Sequence, residues 1–246
     1  MSIPARPSDP TSPGRHFTPA RIALLAAVGV LVAAGAFFVA RQDGESPAAG
    51  FSNGVRGSGV PATQARTVPS FEAIDLTGGS SIRVHVGTRQ AVVVHADDNL
   101  INRVTTDVRD GVLVVSERGS FSTNLPLSVD VTVSTLAAVR LIGSGTINVE
   151  GVTAQSLTAE LLGSGLLTVS GTVHRLDATL AGSGNMQLGD LTARSVTATV
   201  PGSGRIVVHA SHTLNASIPG NGEIVYSGHP KTVNQIVNGS GVILRG

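Results

Sequence analysis

The 246-residue chain contains no cysteine and no tryptophan, and aromatic residues make up only 3% of it. Without cysteine, the chain forms no disulfide, no thiolate metal site and no cysteine nucleophile. Aliphatic residues supply nearly all of the 41% hydrophobic content. This composition favours one elongated repeat domain with a narrow core over a wide globular core filled by aromatic rings.

Charge is also scarce, since charged residues make up 13% of the chain and the formal net charge is +1. From Phe71 onward, the chain has 11 Lys and Arg residues and 13 Asp and Glu residues. No basic stripe is present to neutralise phosphates, so we expect no nucleic-acid partner. The chain also lacks a Gly-x-Ser-x-Gly elbow and a Walker phosphate loop, and we expect no cofactor.

The chain before Phe71 divides by composition into three segments. Residues 1–21 are rich in Pro, Ser and Arg and are expected to form a disordered cytoplasmic tail, whereas 41–70 have the Gly, Ser, Pro and Ala content of a flexible linker. Between them, the stretch from Ile22 to Ala40 carries no charge and is just long enough to span a bilayer as a helix. The arginines before this segment keep the amino terminus in the cytoplasm. We therefore predict a membrane anchor, with the remaining chain outside the cytoplasm.

A cleaved signal peptide is the alternative for the same segment, because Ala34-Gly35-Ala36 has the Ala-x-Ala form of a cleavage site. Cleavage there would make the protein secreted. The long tail before the segment and the apolar run through Phe37 and Phe38 favour retention. The sequence leaves both outcomes open.

One short phrase recurs six times between residues 137 and 246. It is a Gly-Ser-Gly triplet, once Gly-Asn-Gly, flanked by apolar residues, and it returns at a nearly constant spacing along the chain. We call these the corner triplets. A fixed period of this size, ~19 residues, indicates stacked copies of one small unit. The triplet glycines are Gly143, Gly145, Gly163, Gly165, Gly182, Gly184, Gly202, Gly204, Gly220, Gly222, Gly239 and Gly241.

The apolar residues around each triplet lie at even offsets from its first glycine, as Leu141 and Ile147 do around Gly143. Period-two alternation over such short runs is typical of strands and excludes a helix. Both glycines of each triplet then face inward, where we expect them to allow a sharp bend, and the middle Ser or Asn faces out. The sequence therefore predicts an all-β fold, a parallel β-helix or β-solenoid with ~19-residue coils over residues 71–246, preceded by the amino-terminal hydrophobic helix.

Residues 71–136 carry this pattern only weakly. Gly78-Gly79-Ser80 resembles a degenerate triplet, and the interval from Gly78 to Gly143 leaves room for about three more coils. Short β-like runs alternate here with turn signals, among them Asp97-Asp98-Asn99. We expect this part to pair partly antiparallel or to cap the solenoid.

The opening Phe71-Glu72-Ala73-Ile74, the serial triplets and the ending Ile224-Val225-Tyr226-Ser227-Gly228-His229-Pro230 resemble the bacterial auto-transporter adhesin family with a head GIN domain. The resemblance covers roughly Phe71 to Gly246. It implies a β-solenoid on the envelope or cell surface with an adhesive role. It brings no catalytic residues to transfer.

Outward positions show charge pairs rather than acid pairs. Arg140 is expected to stack on Glu160, and Arg205 on Glu223, in ladders that stabilise neighbouring strands. Asp97-Asp98 is interpreted as a turn or solvated loop, and His209 with His212 lacks a third metal ligand nearby. We therefore predict no catalytic and no metal site.

Outward apolar residues are the remaining candidates for an interface. Ile142, Leu162 and Leu166 form one group, and Val207, Val225 and Leu244 align in the last three repeats. The last repeat is also expected to mediate self-association through unpaired strand groups. The sequence thus favours a non-enzymatic envelope interaction module, with a carbohydrate-active β-helix lyase or hydrolase and a structural or sensory envelope protein as alternatives.

Overall fold

The computed structural model of the protein describes residues 54–246. In that range the chain forms β-strands and one short 3-10 helix, Ile101–Arg103, with no α-helix, which confirms the all-β class. No helix of the described range is long and apolar enough to span a bilayer. The predicted tail, the hydrophobic helix at 22–40 and residues 41–53 of the predicted linker lie outside the described residues.

The strands are short in the first part of the chain and long in the second. In chain order they are β1 (Val55–Arg56), β2 (Pro61–Arg66), β3 (Ala73–Gly78), β4 (Ser81–Val86), β5 (Ala91–Asp97), β6 (Val104–Arg109), β7 (Val112–Glu117), β8 (Phe121–Ser122), β9 (Ser128–Val133), β10 (Ala138–Gly143), β11 (Thr146–Leu161), β12 (Leu166–Leu180), β13 (Asn185–Thr199), β14 (Arg205–Ile218), β15 (Glu223–Ser227), β16 (Thr232–Val237) and β17 (Val242–Arg245).

From β10 onward, each strand pairs in parallel with the strand one sequence period later. Thr146 lies opposite Leu166, Leu166 opposite Asn185, and Asn185 opposite Arg205. The same spacing continues through β15 and β17. Because the pairing offset equals the spacing of the corner triplets, equivalent positions of successive repeats lie side by side.

The core is a set of aliphatic ladders built from the inward positions of these strands. Alternation along each strand sends every second side chain inward, where like residues meet. The position two residues before each triplet is fully buried in the first five repeats and 43% exposed in the last, Val237. Its buried members are Leu141, Leu161, Leu180, Val200 and Ile218.

The amino-terminal part has a different order. Strand β3 lies between β10 and β7 and is parallel to both, and β4 lies in the same way between β11 and β9. Beyond them, β6 pairs antiparallel with β7, and β5 pairs antiparallel with β9. The expected antiparallel pairing is confirmed. The expectation of about three more repeats before Gly143 is wrong, since only β7 and β9 extend the parallel pairing of β3 and β4.

The second half of the predicted flexible linker is a strand. Pro61–Arg66 pairs antiparallel with Val92–Asp97 of β5, and Ala62 packs against the core. The prediction failed because composition reports how few apolar side chains a segment has, whereas a strand at a sheet edge is held mainly by backbone hydrogen bonds.

Candidate functional site

At the corner triplets, the backbones of successive repeats approach closely. Ser164 N donates to Gly143 O over 3.0 Å, and Ser183 N donates to Gly163 O over 3.0 Å. A Cβ placed on any of the twelve triplet glycines would lie less than 3.0 Å from the carbonyl oxygen of the equivalent residue in the neighbouring corner. Only glycine fits such a stack. The middle Ser and Asn side chains are exposed.

The reason for glycine is therefore not the one expected from the sequence. Among the twelve, only Gly143 has a left-handed backbone, with φ of 136°. The others have backbone angles that an alanine also adopts. Close packing of one corner on the next, rather than the angle of the bend, excludes a side chain at these positions.

The stack of corners reaches its amino-terminal end at Gly78-Gly79-Ser80, where a serine stands in place of the second glycine. The Ser80 side chain is 4% exposed, and its Oγ has no hydrogen-bond partner among the described residues. In the next corner, Ser144 N and Gly145 N donate to Gly78 O over 3.1 and 3.0 Å. The matching amides of Gly79 and Ser80 have no such partner within residues 54–246.

These amides lack a partner because the neighbouring strands do not turn a tight corner. Between β7 and β9, residues 118–127 form a longer loop that includes the short strand β8. The loop leaves a groove of about 640 Å³ against the Gly78-Gly79-Ser80 corner. We call it the corner groove.

The corner groove is lined by hydroxyl groups, apolar side chains and two charged residues. Ser80, Ser81, Thr123, Ser128 and Thr146 bring hydroxyls to it. Its apolar lining comes from Ile82, Phe121, Pro126 and Leu127, and its charged residues are Arg83 and Glu117. Such a mixture of apolar surface and a few polar groups is typical of ligand-binding pockets.

The charge of Arg83 is matched on the sheet beside the groove. Arg83 Nε lies 3.1 Å from Asp130 Oδ1, and Asp130 Oδ2 lies 2.9 Å from His95 Nε2. His95 Nδ1 in turn shares a hydrogen bond of 3.1 Å with Thr63 Oγ1. These residues lie on neighbouring strands and form a polar ladder across β4, β9, β5 and β2.

Glu117 has no ion pair within the described residues. Its carboxylate lies next to the amino-terminal corner, since a Cβ on Gly78 would be 3.2 Å from Glu117 Cδ. The groove therefore contains one carboxylate that no cation of the described chain neutralises.

The amino-terminal segment holds the groove loop in place. Val55 pairs with Phe121, and Gly57 N donates to Ser122 O over 2.7 Å. Asp97, at the end of β5, accepts hydrogen bonds from Gly59 N, over 2.6 Å, and from the hydroxyl of Thr123. One side chain thus joins the segment before β2 to the loop between β7 and β9.

Asp97 is 1% exposed, so its interpretation as part of a turn or solvated loop is wrong for this residue. The hydrogen bond from Thr123, followed by that from Gly59, lowers the pKa of the Asp97 carboxyl despite its burial. Its neighbour Asp98 is exposed and accepts a hydrogen bond from the Ser58 hydroxyl. The Gly57-Ser58-Gly59 sequence, expected to be a flexible spacer, is held by these two carboxylates.

Both predicted charge ladders are confirmed. Arg140 Nε lies 2.8 Å from Glu160 Oε2, and Arg205 Nε lies 3.3 Å from Glu223 Oε2. Arg140 Nη1 also approaches Asp75 Oδ2 at 3.7 Å on its other side. Burial, more than Glu160, raises the pKa of Asp75 against the opposing effect of Arg140.

The other ionisable candidates are dispersed. Asp177 lies between Thr158 and Thr197, and His209 Nδ1 shares a 3.0 Å hydrogen bond with Ser227 Oγ. Within the described part of the chain, no group of three His, Asp or Glu side chains is arranged to hold a metal ion.

The candidate interface residues lie on the outer surface of the regular part. Leu162, Leu166 and Leu244 are 45%, 37% and 44% exposed, whereas Ile142, Val207 and Val225 are half-buried. Val225 lies opposite both Val207 and Leu244, so these three residues form one column.

Sequence reasoning did not find the corner groove. The available signal was Ser80 itself, because the other six triplets have glycine in its place. Residues 118–127 are far from Ser80 in sequence, and only the fold brings them together.

The fold and groove define a class of all-β domain in which parallel strands repeat and a lateral groove opens where the repetition is interrupted. A family model described as "Putative auto-transporter adhesin, head GIN domain" matches residues 70–230. The chain belongs to this family, which confirms the resemblance noted in its sequence. Among the curated proteins, none matches the chain.

Solved structures share this fold at low sequence identity. A putative adhesin from Bacteroides fragilis is 22% identical with a TM-score of 0.66, over 78% of this chain and 100% of that one. A putative adhesin from Parabacteroides distasonis is 21% identical with a TM-score of 0.51, over 79% and 100%. A putative lipid binding protein from the same species is 23% identical with a TM-score of 0.50, over 78% and 99%.

Proposed function

We propose that the protein is a non-enzymatic interaction module of the bacterial cell envelope, an adhesin whose head is a parallel β-solenoid exported from the cytoplasm. Membership of the adhesin family supports the role. Parallel pairing of equivalent positions in successive repeats supports the solenoid, since each repeat then adds one coil. Pairing of Pro61–Arg66 with β5 extends the proposed head to residues 54–246.

The corner groove is the observation that carries a binding function. Glycoside hydrolysis generally requires two carboxylates at a defined separation. Among the residues that line the groove, Glu117 is the only carboxylate, and Arg83 is paired with Asp130 outside it. A groove of this volume with many hydroxyls and one free carboxylate suits the capture of a ligand better than the cleavage of a bond.

Export rests on the uncharged stretch from Ile22 to Ala40, which serves either as an anchor or as a cleaved signal. Protease treatment of intact cells that express the full chain tests this. We expect the head to be digested without lysis if it is anchored at the surface, and to be found in the medium if the signal is cleaved. A head that becomes sensitive only after the cytoplasmic membrane is broken would contradict export.

Adhesion is tested by producing the full chain in a bacterium that lacks it and counting the cells that stay attached to glass, mucin and epithelial monolayers under flow. A chain truncated after residue 53 is the control. We expect attachment to increase only with the full chain. Release of reducing ends from polysaccharides by the purified chain, abolished by Glu117→Gln, would instead establish an enzyme.

Self-association through the last repeats belongs to the same proposal. The column of Val207, Val225 and Leu244 ends on β17, where the exposed Val242 lies two residues before Leu244 and opposite Glu223. Exposed apolar ladders of this kind are used in protein interfaces.

A further inference from the structure

The corner groove contains hydrogen-bonding groups that the fold leaves unused. The Ser80 hydroxyl is buried and unpartnered among residues 54–246, and the Gly79 and Ser80 amides lack the acceptor that the amides of the next corner have. Buried polar groups without partners are costly, and a ligand that supplies the missing partners recovers that cost. The buried Ser80 hydroxyl is therefore the donor with most to gain from a ligand, and the amide of Gly79, an exposed residue of the groove lining, adds a second donor.

An acceptor lies beside these donors. The Glu117 carboxylate is next to Gly78 and has no ion pair in the described chain. A ligand at this place must accept hydrogen bonds from the corner and donate hydrogen bonds to Glu117. A hydroxyl group does both with a single atom, whereas a carboxylate or phosphate only accepts.

The remaining lining fits the other features of a sugar. Phe121 and Pro126 give the groove an apolar wall, and aromatic rings pack well against flat apolar faces such as the C–H face of a pyranose ring. Ser81, Ser128 and Thr146 add further hydroxyls and Asn148 adds an amide, whereas the Thr123 hydroxyl already donates to Asp97. Such groups pair with ring hydroxyls in either donor or acceptor orientation.

Acidic sugars and peptides fit less well. Arg83 is already paired with Asp130, so the uncompensated charge of the groove is that of Glu117, which repels anions. A peptide strand binds by adding to a free sheet edge. Strand β4, which lines the groove, is paired on one side with β11 and on the other with β9, and offers no such edge.

We infer that the corner groove binds a segment of a neutral oligosaccharide, with Glu117 accepting from ring hydroxyls, the Ser80 corner donating to them, and Phe121 packing against a ring face. This inference deepens the proposed adhesin function and rests on it. It names neutral glycans as the class of ligand.

The full chain, purified in detergent micelles, tests this on an array of oligosaccharides that includes neutral glucans, mannans, galactans and chitin fragments beside oligogalacturonate and a set of unrelated peptides. We expect binding to at least one neutral class and none to oligogalacturonate. Titration of the best neutral oligosaccharide by calorimetry then gives the Kd for each variant.

Three variants address the three parts of the groove. Glu117→Gln removes a charged acceptor and should weaken binding about tenfold or more. Phe121→Leu keeps an apolar side chain without the ring and should weaken it about fivefold. Ser80→Gly gives this corner the glycine found in every other triplet, so the fold is retained while the hydroxyl is lost, and binding should weaken about threefold to tenfold. Ser164→Ala, in the exposed middle of a corner away from the groove lining, and Asp177→Asn, on β12, are the controls and should bind as the wild-type chain does.

Two results would overturn the inference. One is the absence of binding to every neutral oligosaccharide, or a preference for the acidic sugars or for peptides. The other is binding that Glu117→Gln, Phe121→Leu and Ser80→Gly all leave unchanged, in chains with wild-type circular dichroism. Cells that attach equally well with the wild-type and the Glu117→Gln chain would also count against the groove while the adhesin proposal stands. Glycan binding by a chain that never reaches the cell surface would support the groove and contradict the adhesin proposal.

Discussion

The regular part of the chain, residues 138–245, and the amino-terminal part, residues 54–136, both contain parallel strands. They differ in whether the backbone groups at the corners find hydrogen-bond partners in the neighbouring corner. At the corners of the regular part, backbone amides donate to carbonyl oxygens of the corner one repeat earlier, so each corner supplies the acceptors that the next corner needs. In the amino-terminal part, β3 is paired with strands distant in sequence on both sides, β10 and β7. Equivalent partners are missing there. At one place, the Asp97 side chain accepts hydrogen bonds from Gly59 and Thr123 instead. At another, the corner groove leaves the Gly79 and Ser80 amides without a partner in the described chain.

Repetition thus produces a surface whose hydrogen bonds are already made, and its interruption leaves groups free to bind. The proposed binding site therefore does not lie at the corner triplets, although these are the most visible feature of the sequence. The corner triplets stabilise the stack, whereas the site we propose lies at the corner where Ser80 replaces the second glycine.

The largest effect is expected where the regular part is most tightly packed. In Gly182→Ala, the new Cβ would overlap Gly163 O, and neighbouring backbone on both strands would have to move. Because backbone cannot yield as a side chain does, we expect the free energy of unfolding to fall by about 3 kcal/mol or more. Chemical denaturation of the full chain in detergent measures this.

Gly189→Ala, within β13 and away from the corner triplets, is the matched control. Its Cβ would meet only the Val207 side chain at 3.4 Å, an ordinary contact, and Gly189 has no left-handed backbone. We expect a change within about 0.5 kcal/mol. Equal losses from the two variants would show that glycine at the corners is not required by close packing, and the distinction between the two regions would lose its basis.

The second largest effect is expected in the amino-terminal part, at Asp97. Asp97→Asn replaces a buried acceptor of two hydrogen bonds by an amide that also carries donors, so the link between Gly59 and the Thr123 loop should weaken. Hydrogen exchange should become faster in residues 57–66 and 118–127 while β12 and β13 keep their protection. Asp98→Asn, at an exposed carboxylate, should have a smaller effect.

The same carboxyl gives a pH dependence with a definite sign. Its pKa in the folded protein is lower than in the unfolded chain, so the unfolded state binds more protons as pH falls. The stabilisation is complete above the ordinary Asp value of about 4 and is lost below it, as pH falls toward the folded value. Thermal melts of wild type and Asp97→Asn should therefore converge in acid. Curves that stay parallel down to acid would contradict this role.

The regular part could be predicted from sequence because its signal is local and repeated. Even offsets around each triplet fix which residues face inward, and the period fixes which residues become neighbours, as Arg140 and Glu160 do. The amino-terminal part could not be predicted in this way, because β3 pairs with β10 and β7, both distant along the chain, with no repeat to indicate the register. The sequence did not predict the strand Pro61–Arg66, because its pairing involves the backbone. It did not predict the corner groove, because Ser80 and Glu117 come together only in the fold.

A further prediction distinguishes the two groups of outward apolar residues within the regular part. If self-association uses the last repeats, Leu244→Ser should reduce the concentration-dependent increase in mass, whereas Leu162→Ser should not. Loss of one anchor in an interface commonly weakens association about tenfold. Sedimentation of the full chain in detergent gives the dissociation constants. A wild-type chain that stays monomeric at high concentration would contradict self-association, and an effect of Leu162→Ser alone would move the interface to the earlier repeats.

The smallest effect is expected at the boundary between the two regions, where Asp75 of β3 faces Arg140 of β10. Burial raises the pKa of Asp75, so the folded state holds this proton more tightly than the unfolded chain, and stability falls as pH rises from the ordinary Asp value through the raised one. At neutral pH the ionised Asp75 carboxylate therefore lowers the free energy of unfolding slightly. Arg140 keeps its closer partner Glu160 when Asp75 is replaced. Asp75→Asn should raise the free energy of unfolding at pH 7 by less than about 1 kcal/mol, and the gain should vanish below about pH 4.

Glu160→Gln is the matched control and should destabilise slightly, because it removes the 2.8 Å ion pair. A loss of stability in Asp75→Asn at pH 7 would mean that attraction to Arg140 outweighs burial, and that the junction is held by charge as the regular ladders are.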